Sequence, residues 1–151
     1  MKVRFQSLRP GAVLPQYGSA EAAALDIVLP TDMEALALRS GQTVVIPLGF
    51  KIEIPSGYVG KVKARSSMWS KGWRVSGFID SDYRGEVKLM IQAPSSVGGG
   101  DIFSGLERHE LTPGQKAAQL LIEPTYKIEP EWAEDLTVTA RGEGGFGSTG
   151  V

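Results

Sequence analysis

Short apolar segments alternate with turn residues along almost the whole chain. The segments are of strand length and rich in Val, Ile and Leu, and they cover residues 3–8, 25–29, 43–54, 58–62, 87–92, 117–122 and 137–140. Residues that favour bends separate them, at Pro10-Gly11, Ser40-Gly41, Pro55-Ser56-Gly57 and Pro113-Gly114. Many short strands with Gly and Pro between them are typical of a sandwich or a barrel. The pattern therefore predicts an all-β fold.

Helical signals are few. Residues 66–71 begin with serines and are followed by Gly72, which predicts one short helix, and residues 131–136 are expected to add a helical turn. No internal repeat or linker divides the chain, and residues 94–101 predict a long loop. We therefore expect one β domain over residues 1–140, followed by a flexible, glycine-rich arm over residues 141–151.

Composition narrows the range of partners. The chain has 16 basic and 17 acidic residues and a formal net charge of -1, which does not favour nucleic acid or an anionic membrane as a partner. It has no cysteine, so disulfides and cysteine nucleophiles are excluded. No segment approaches the ~20 apolar residues of a transmembrane helix, and none resembles a signal peptide. We expect a cytoplasmic protein, or an intracellular one if a virus encodes it.

The C-terminal arm combines residue types that suit a phosphorylated ligand. Its glycines let backbone N–H groups turn toward an anion. Arg141 adds a forked cation, Ser148 and Thr149 add short donors, and Phe146 can stack on a base. The alternative is a disordered tail, which the terminal position also favours.

Candidate catalytic groups lie in loops beside the predicted strands. The single histidine, His109, lies in a polar stretch and is expected to be a solvated surface residue, which leaves no histidine-based triad or metal cluster. Asp80 follows an apolar run, where a partly buried carboxylate can act as general base for a water; the alternative is an ordinary charged turn. Asp26 and Gln119 interrupt apolar strands, and a carboxylate there must be paired or lie near a cation.

A second candidate anion site lies at the predicted helix start, where Arg65 precedes Ser66 and Ser67. Free N–H groups at such a start favour anions, although simple helix capping would use the same residues.

Taken in order, five segments of the chain resemble the five motifs of the trimeric deoxyuridine triphosphatase (dUTPase) family. They are Ala-Ala-Ala-Leu-Asp-Ile (22–27), Arg-Ser-Ser (65–67), Gly-Phe-Ile-Asp-Ser-Asp-Tyr-Arg-Gly (77–85), Gly-Gln-Lys-Ala-Ala-Gln-Leu (114–120) and Arg-Gly-Glu-Gly-Gly-Phe-Gly-Ser-Thr-Gly (141–150).

The resemblance implies a jelly-roll-like, distorted β-barrel of the β-clip type, assembled as a homotrimer with active sites at the subunit interfaces. It implies hydrolysis of dUTP to dUMP and pyrophosphate, with Mg²⁺ held mainly by the triphosphate. Asp80 would activate the water that attacks the α-phosphorus, and Asp26 would contact the magnesium ion through water. The matched substrate-binding positions are Arg65, Ser66, Ser67, Gly77, Tyr83, Gln119, Arg141, Phe146, Gly147, Ser148 and Thr149.

The resemblance also implies a role for most of these positions. Tyr83 would pack under the sugar and disfavour a ribose 2′-hydroxyl, and Phe146 would stack over the base. The remaining side chains would contact the phosphates: Ser66, Ser67 and Gln119 along the chain of phosphates, and Arg141, Ser148 and Thr149 at the γ-phosphate. Arg65 would mainly brace the site.

One segment departs from the family pattern. The interval from Arg65 to Asp80 is several residues shorter than is usual, and it lacks the asparagine near the turn of the β-hairpin that reads the uracil edge in most members. Trp69, Trp73 and Arg74 offer a different base pocket, although core or trimer packing is the favoured interpretation of the tryptophans. Smaller departures are Ala24, Ala64 and Lys116, where glycine, proline and arginine are usual.

Three functions therefore stay open. The first is a magnesium-dependent dUTPase; the second is a related diphosphohydrolase that accepts thymidine, 5-substituted deoxyuridine or deoxycytidine triphosphates, since a truncated base-reading element discriminates poorly. The third is a regulator that binds nucleotide without cleaving it, which the retention of Asp80 and Tyr83 disfavours. The loop over residues 94–110, longer than is usual, is expected to cover the site, contact a partner or have no role.

Overall fold

A computed structural model describes residues 1–95 and 108–144, and these contain eleven β-strands and one short helix. In chain order the elements are β1 (Arg4–Ser7), β2 (Gln16–Tyr17), β3 (Leu25–Val28), β4 (Leu36–Arg39), β5 (Thr43–Pro47), β6 (Phe50–Glu53), β7 (Tyr58–Ala64), α1 (Ser66–Trp69), β8 (Arg74–Ile79), β9 (Lys88–Gln92), β10 (Arg108–Leu111) and β11 (Lys116–Pro124). The prediction of an all-β fold with one short helix is confirmed.

The strands form one large sheet and two small ones, and every pairing is antiparallel. The large sheet has seven strands in the order β2-β3-β11-β7-β8-β9-β5, while β1 pairs with β6 and β10 pairs with β4. The C-terminal strand β11 therefore lies between β3 and β7 in the middle of the large sheet. This placement brings segments that are far apart in the sequence side by side.

The core follows the alternation of side chains along the strands. In β9, Leu89 and Ile91 are buried while Lys88 and Met90 are exposed, as expected when one face of a strand packs inward. Each fully buried Leu or Ile side chain contributes about 1.5–3 kcal/mol relative to an exposed one. The largest fully buried side chains include Ile27, Leu29, Leu48, Ile52, Ile54, Leu89, Ile91, Leu111 and Leu120.

Two predicted turns depend on glycine. Gly57, between β6 and β7, has φ 84°, and Gly114, just before β11, has φ 74°. These left-handed conformations are disfavoured for residues that carry a Cβ. The turn signals read from the sequence at these two places are confirmed.

Several predicted elements differ in the structure. Residues 43–54 form two strands rather than one, because Gly49 adopts φ 76° and the chain passes from one sheet to another between β5 and β6. The strands β2, β4, β8 and β10 were not predicted, since none of them carries a continuous apolar run of clear strand length. The expected loop over residues 94–110 ends earlier than predicted, because β10 begins at Arg108.

The expected helical turn over residues 131–136 and the expected strand over residues 137–140 do not form. Both segments are exposed throughout, and within residues 1–95 and 108–144 neither has a neighbouring strand to complete a backbone ladder. The last strand ends at Pro124, and the boundary between a domain of residues 1–140 and an arm of residues 141–151 stays a prediction. Within the ranges that the structure describes, no helix has the length and apolar character needed to cross a membrane.

Candidate active site

One cavity collects residues from three of the sequence motifs. Its volume is about 370 Å³, and its walls come from the loop before β3, the outer face of β7, the start of α1 and the middle of β11. The polar and charged side chains that line it are Asp26, Lys61, Lys63, Arg65, Ser66 and Gln119. Segments separated by more than ninety positions along the chain thus meet in one place.

Strand register explains why these side chains share a surface. Gln119 in β11 lies opposite Asp26 in β3 and opposite Lys63 in β7, so the three residues form a row across adjacent strands. Residues directly opposite each other point to the same face of a sheet, and neighbouring strands are about 4.8 Å apart. A carboxylate, an amide and an ammonium group therefore project from one face within about 10 Å.

Asp26 is held between two cations. Its side chain is only 13% exposed, and its two carboxylate oxygens lie 2.8 Å from Arg65 Nε and 2.9 Å from Lys116 Nζ. The hydrogen bond from Lys116 and the charge of Arg65 hold the pKa of the Asp26 carboxyl below its usual range, although desolvation acts in the opposite direction. The expectation that a carboxylate in this apolar strand must be paired is confirmed.

The start of α1 leaves its hydroxyl groups available. The N-cap residue Arg65 is extended, with φ −67° and ψ 154°, and makes no side-chain capping hydrogen bond. Ser66 and Ser67 lie inside the helix and are exposed, and Ser66 lines the cavity, whereas Ser67 is not among the residues that form its walls. The structure therefore does not support helix capping as the function of these serines.

Gln119 is anchored by the neighbouring strand. Its amide nitrogen donates a long hydrogen bond, 3.4 Å, to the carbonyl oxygen of Ala64, next to Arg65. This contact uses one N–H of the amide and leaves its second N–H and its oxygen for other partners. Gln119 thus links β11 to the segment that carries Arg65 and Ser66.

Two lysines of the cavity were missed by the sequence reasoning. Lys61 and Lys63 alternate in β7 with buried Gly60 and Val62, so their side chains project on the same face as that of Arg65. The sequence contains a signal for these lysines, because basic residues recur at every second position up to Arg65. Side chains at every second position of a strand lie on the same face, so this spacing indicates one basic surface.

The cavity does not contain the ligands of a protein-bound metal site. Among the described residues, no group of three or more His, Cys, Asp or Glu side chains is close enough to hold a metal ion. Asp26 is the one carboxylate in the cavity wall, and both its oxygens already face cations. This donor set fits a magnesium ion that is held mainly by phosphate oxygens and water, with Asp26 outside its direct coordination.

The residues of the third motif, 77–85, do not line this cavity. In β8, Gly77 is opposite Val62 and Ile79 is opposite Gly60, so Asp80 follows next to the far end of β7. Six residues of extended chain separate that level of β7 from Arg65, which corresponds to about 20 Å. Asp80 is exposed rather than partly buried as expected, because none of the described residues covers it.

Tyr83 is fixed by local contacts. Its hydroxyl donates a hydrogen bond of 2.9 Å to the carbonyl oxygen of Glu86, and its ring lies directly over Gly85. A Cβ at Gly85 would approach the Tyr83 hydroxyl oxygen to 2.4 Å, which no real contact allows. Gly85 therefore serves to admit the tyrosine ring, which remains 44% exposed.

Of the arm residues proposed to bind substrate, the structure describes Arg141. Its Nε donates to the carbonyl oxygen of Gly144 at 2.8 Å, and Gly142 adopts φ 50°, so the arm begins with a local turn. Phe146, Gly147, Ser148 and Thr149 lie outside the described residues.

The segment between Arg65 and Asp80 forms α1 followed by the single strand β8. No strand-turn-strand unit occurs within residues 66–79, all of which are described, so the hairpin is absent, as the short interval predicts. Trp73 is 5% exposed and belongs to the core, as the favoured interpretation holds, whereas Trp69 is 61% exposed and carries Arg74 over its ring at 5.7 Å.

The prediction that His109 is a solvated surface residue is wrong. It is half-buried in β10, its ring meets that of Trp73 edge-on at 5.9 Å, and its Nε2 is buried without a hydrogen-bond partner among the described residues. The polar sequence around it concealed the alternation of an edge strand, which turns this one side chain inward.

Comparisons with known proteins agree on one family. A family model described as dUTPase matches residues 11–150. The chain is 38% identical over 147 residues to the deoxyuridine 5'-triphosphate nucleotidohydrolase of Rhizobium meliloti strain 1021, covering 93% of this chain and 85% of that protein. It is 34% identical over 151 residues to the protein of the same name from Chlamydia trachomatis serovar L2, covering 97% of each.

Solved structures give the same result. A mutant dUTPase of Staphylococcus bacteriophage 80alpha with dUpNHpp superposes with a TM-score of 0.83 at 28% identity, covering 99% of each chain. A mutant dUTPase from phage phi11 of S. aureus, described as coordinating a structural Mg(II) ion, gives a TM-score of 0.75 at 25% identity, over 91% of this chain and all of that one. The jelly-roll-like fold predicted from the motifs is thereby confirmed.

Proposed function

The chain belongs to the dUTPase family, and we propose that the cavity formed by its first, second and fourth motifs binds the phosphates of dUTP, which the enzyme hydrolyses to dUMP and pyrophosphate. The observation that carries the proposal is the meeting of Asp26, Arg65, Ser66 and Gln119 in one cavity. Cations, a hydroxyl and an amide suit an anionic chain of phosphates. The chain has no cysteine, and its one histidine, His109, is not among the residues that line the cavity, so neither supplies a covalent nucleophile there.

Each of these side chains has a distinct task. Ser66 and Gln119 donate to phosphate oxygens, and Ser67 joins them once substrate is present. Arg65 is held by Asp26 at the edge of the cavity, where it braces the site and contributes positive charge. A magnesium ion would be held mainly by the triphosphate, with Asp26 as the residue that would contact it through water, and it would neutralise part of the phosphate charge.

The reaction is an in-line attack of water on the α-phosphorus. Asp80 accepts a proton from the water as its oxygen bonds to phosphorus, and the bond from the α-phosphorus to the bridging oxygen of the pyrophosphate breaks. Pyrophosphate leaves with the electron pair of that bond, and its charge is met by the cations and the magnesium ion. The protein positions the groups and needs no covalent intermediate.

We infer that the site combines residues from more than one copy of the chain. Asp80 follows β8 at a level about 20 Å along β7 from Arg65, and none of Gly77, Asp80 and Tyr83 is among the residues that line the cavity of their own chain. A homotrimer of the type implied by the family brings Asp80 and Tyr83 of one copy to the cavity of the next. Tyr83 then packs under the deoxyribose and excludes a 2′-hydroxyl.

Exposed apolar residues after β11 support assembly. Tyr126, Ile128, Trp132, Leu136 and Val138 are each between 82% and 104% exposed in the isolated chain. Several large apolar side chains exposed within one short segment are consistent with a segment that another chain covers. The arm that follows would close a site, with Arg141, Ser148 and Thr149 at the γ-phosphate, Phe146 over the base and Gly147 allowing close backbone approach.

A second candidate, altered base choice, is favoured by one observation. The base-reading hairpin of the family is replaced by α1 and the single strand β8, with Trp69 and Arg74 exposed beside each other. A site without donors and acceptors matched to uracil would accept thymidine, 5-substituted deoxyuridine or deoxycytidine triphosphates as well. dUTP hydrolysis remains the primary assignment, because the homologous enzymes bear that name.

Pyrophosphate release from a panel of deoxy- and ribonucleoside triphosphates, with and without Mg²⁺, tests both candidates. Turnover of dUTP far above all others supports strict specificity, whereas equal rates with dTTP favour the second candidate. Asp80→Asn should abolish pyrophosphate release while dUpNHpp still binds. This result would separate loss of the general base from loss of the binding site. Absence of turnover with every triphosphate would contradict both and leave a nucleotide-binding regulator.

A further inference from the structure

The outer face of β7 carries a line of positive charge into the cavity. Lys61, Lys63 and Arg65 occupy alternate positions, so their side chains project on the same side of the strand, while Gly60 and Val62 face the core. All three basic residues line the cavity together with Ser66 and Gln119. The proposed function uses Arg65 and leaves the two lysines without a role.

The charges around the cavity do not balance. Arg65 and Lys116 share the carboxylate of Asp26, and Lys61 is paired with Glu123. Lys63 has no carboxylate within ion-pairing distance among the described residues, although its side chain lies on the same row as those of Asp26 and Gln119. Among the described residues, four cations therefore face two carboxylates. One of the two excess positive charges belongs to the group formed by Arg65, Asp26 and Lys116, and the other is that of Lys63.

We propose that Lys63 is a substrate-binding residue that contacts the phosphates of the nucleotide and sets its affinity, whereas Lys61 is held away from them by Glu123. This inference rests on the proposed function of the cavity. An ammonium group offers three donors without fixed geometry, which suits a flexible chain of phosphates. Because Gln119 lies directly opposite Lys63, one phosphate oxygen on this face can accept from both side chains.

The role differs from that of Arg65. The guanidinium of Arg65 is fixed by Asp26 before any ligand arrives, so it orients the site, while Lys63 is exposed and gains its partner only from the ligand. An interaction of this kind is made equally with substrate and transition state. Its loss should therefore raise KM and leave kcat almost unchanged.

The test compares Lys63→Gln with Lys61→Gln, which removes the same charge from the same face of the same strand. We expect Lys63→Gln to raise KM for dUTP and the Kd of inorganic triphosphate by about tenfold, and to flatten the rise of KM with salt. Lys61→Gln should change both by less than about threefold, because Glu123 already offsets its charge. Lys63→Arg should retain affinity, and Lys2→Gln, which changes a residue that does not line the cavity, should match the unmodified protein.

Two results would overturn the inference. One is a KM and a triphosphate Kd for Lys63→Gln within about twofold of the unmodified protein, with the same thermal midpoint. The other is an equal loss in Lys61→Gln and Lys63→Gln, which would indicate general attraction rather than contact. Calorimetric binding of inorganic triphosphate does not require catalysis, so it decides the role of Lys63 even if the unmodified protein fails to hydrolyse dUTP.

Discussion

Asp26 Oδ1 accepts a hydrogen bond from Arg65 Nε at 2.8 Å, and this contact joins β3 to the segment between β7 and α1 across the intervening strand β11. The other carboxylate oxygen binds Lys116 at the start of β11. One side chain thus holds together three motifs that are distant in sequence. The catalytic geometry of the cavity depends on this carboxylate being ionised before substrate arrives.

Asp26→Asn should lower the free energy of unfolding at neutral pH by about 1–3 kcal/mol, because two cations then face each other without a counter-charge in a largely buried position. Urea unfolding at a fixed protein concentration measures this loss, which for an assembled protein also depends on concentration. Glu123→Gln, which removes a more exposed ion-pair partner of Lys61, is the matched control and should cost less.

The difference in unfolding free energy between the unmodified protein and Asp26→Asn should depend on pH, and the lowered pKa of Asp26 fixes the direction of this dependence. The pKa of Asp26 is lowered in the folded state, so its contribution is complete above the ordinary Asp pKa of about 3.9 and is lost as pH falls through the lower, folded value. We expect the stability gap between the unmodified protein and Asp26→Asn to be constant from neutral pH down to about pH 4 and to shrink below it. A gap that narrowed between pH 7 and pH 5 would contradict this account.

Gly85→Ala should weaken discrimination against ribose. A Cβ at this position meets the Tyr83 hydroxyl oxygen at 2.4 Å, so the ring must leave its place and lose its hydrogen bond to Glu86. We expect the ratio of kcat/KM for dUTP over UTP to fall by about tenfold, with a smaller fall in turnover of dUTP itself. Ser56→Ala, at an exposed position of the turn before β7, is the control and should leave this ratio unchanged.

Asp26 and Asp80 illustrate how much of the candidate site can be predicted from the sequence. The motifs identify both carboxylates, and the rule that a buried charge must be paired predicts that Asp26 has a cation beside it. The sequence does not reveal that Asp80 lies at a level about 20 Å along β7 from Arg65 and outside the cavity wall, because that placement depends on which strands pair and in what register. Strand pairing between distant segments is a property of the whole core rather than of any local pattern.

Lys63 and His109 show a second limit. The neighbours of each residue obscured its direction. Lys63 lies just after the apolar segment of residues 58–62, and His109 lies in a polar stretch that indicated solvent. In both cases the alternation of a strand decides the direction of the side chain, and a shift of one residue would reverse it. Locating these residues required the bounds of β7 and β10, which sequence patterns give only approximately.

Deletion of residues 141–151 should leave the assembled β domain intact while removing most dUTP hydrolysis. Residues 124–143 are exposed, so the segment that leads into the arm does not pack in the core of its own chain. Arg141 and the hydroxyl groups of the arm are proposed to hold the γ-phosphate, so their loss should impair catalysis. Thermal unfolding and sedimentation measure the first outcome, and pyrophosphate release measures the second. A large drop in thermal midpoint on deletion would indicate a structural role for the arm instead.

Two inactive variants should restore activity when they share a trimer. Asp80→Asn retains an intact cavity, and Arg65→Gln retains an intact Asp80. If the cavity and the Asp80 of one site come from different chains, a mixed trimer contains sites in which the cavity of the first variant meets the Asp80 of the second. Random mixing around a three-membered ring leaves about one site in four complete. Co-refolding the two variants should therefore recover roughly a quarter of the unmodified rate, whereas each variant alone stays inactive. If the mixture remains as inactive as its components while sedimentation shows mixed trimers, Asp80 does not serve the cavity of a neighbouring copy.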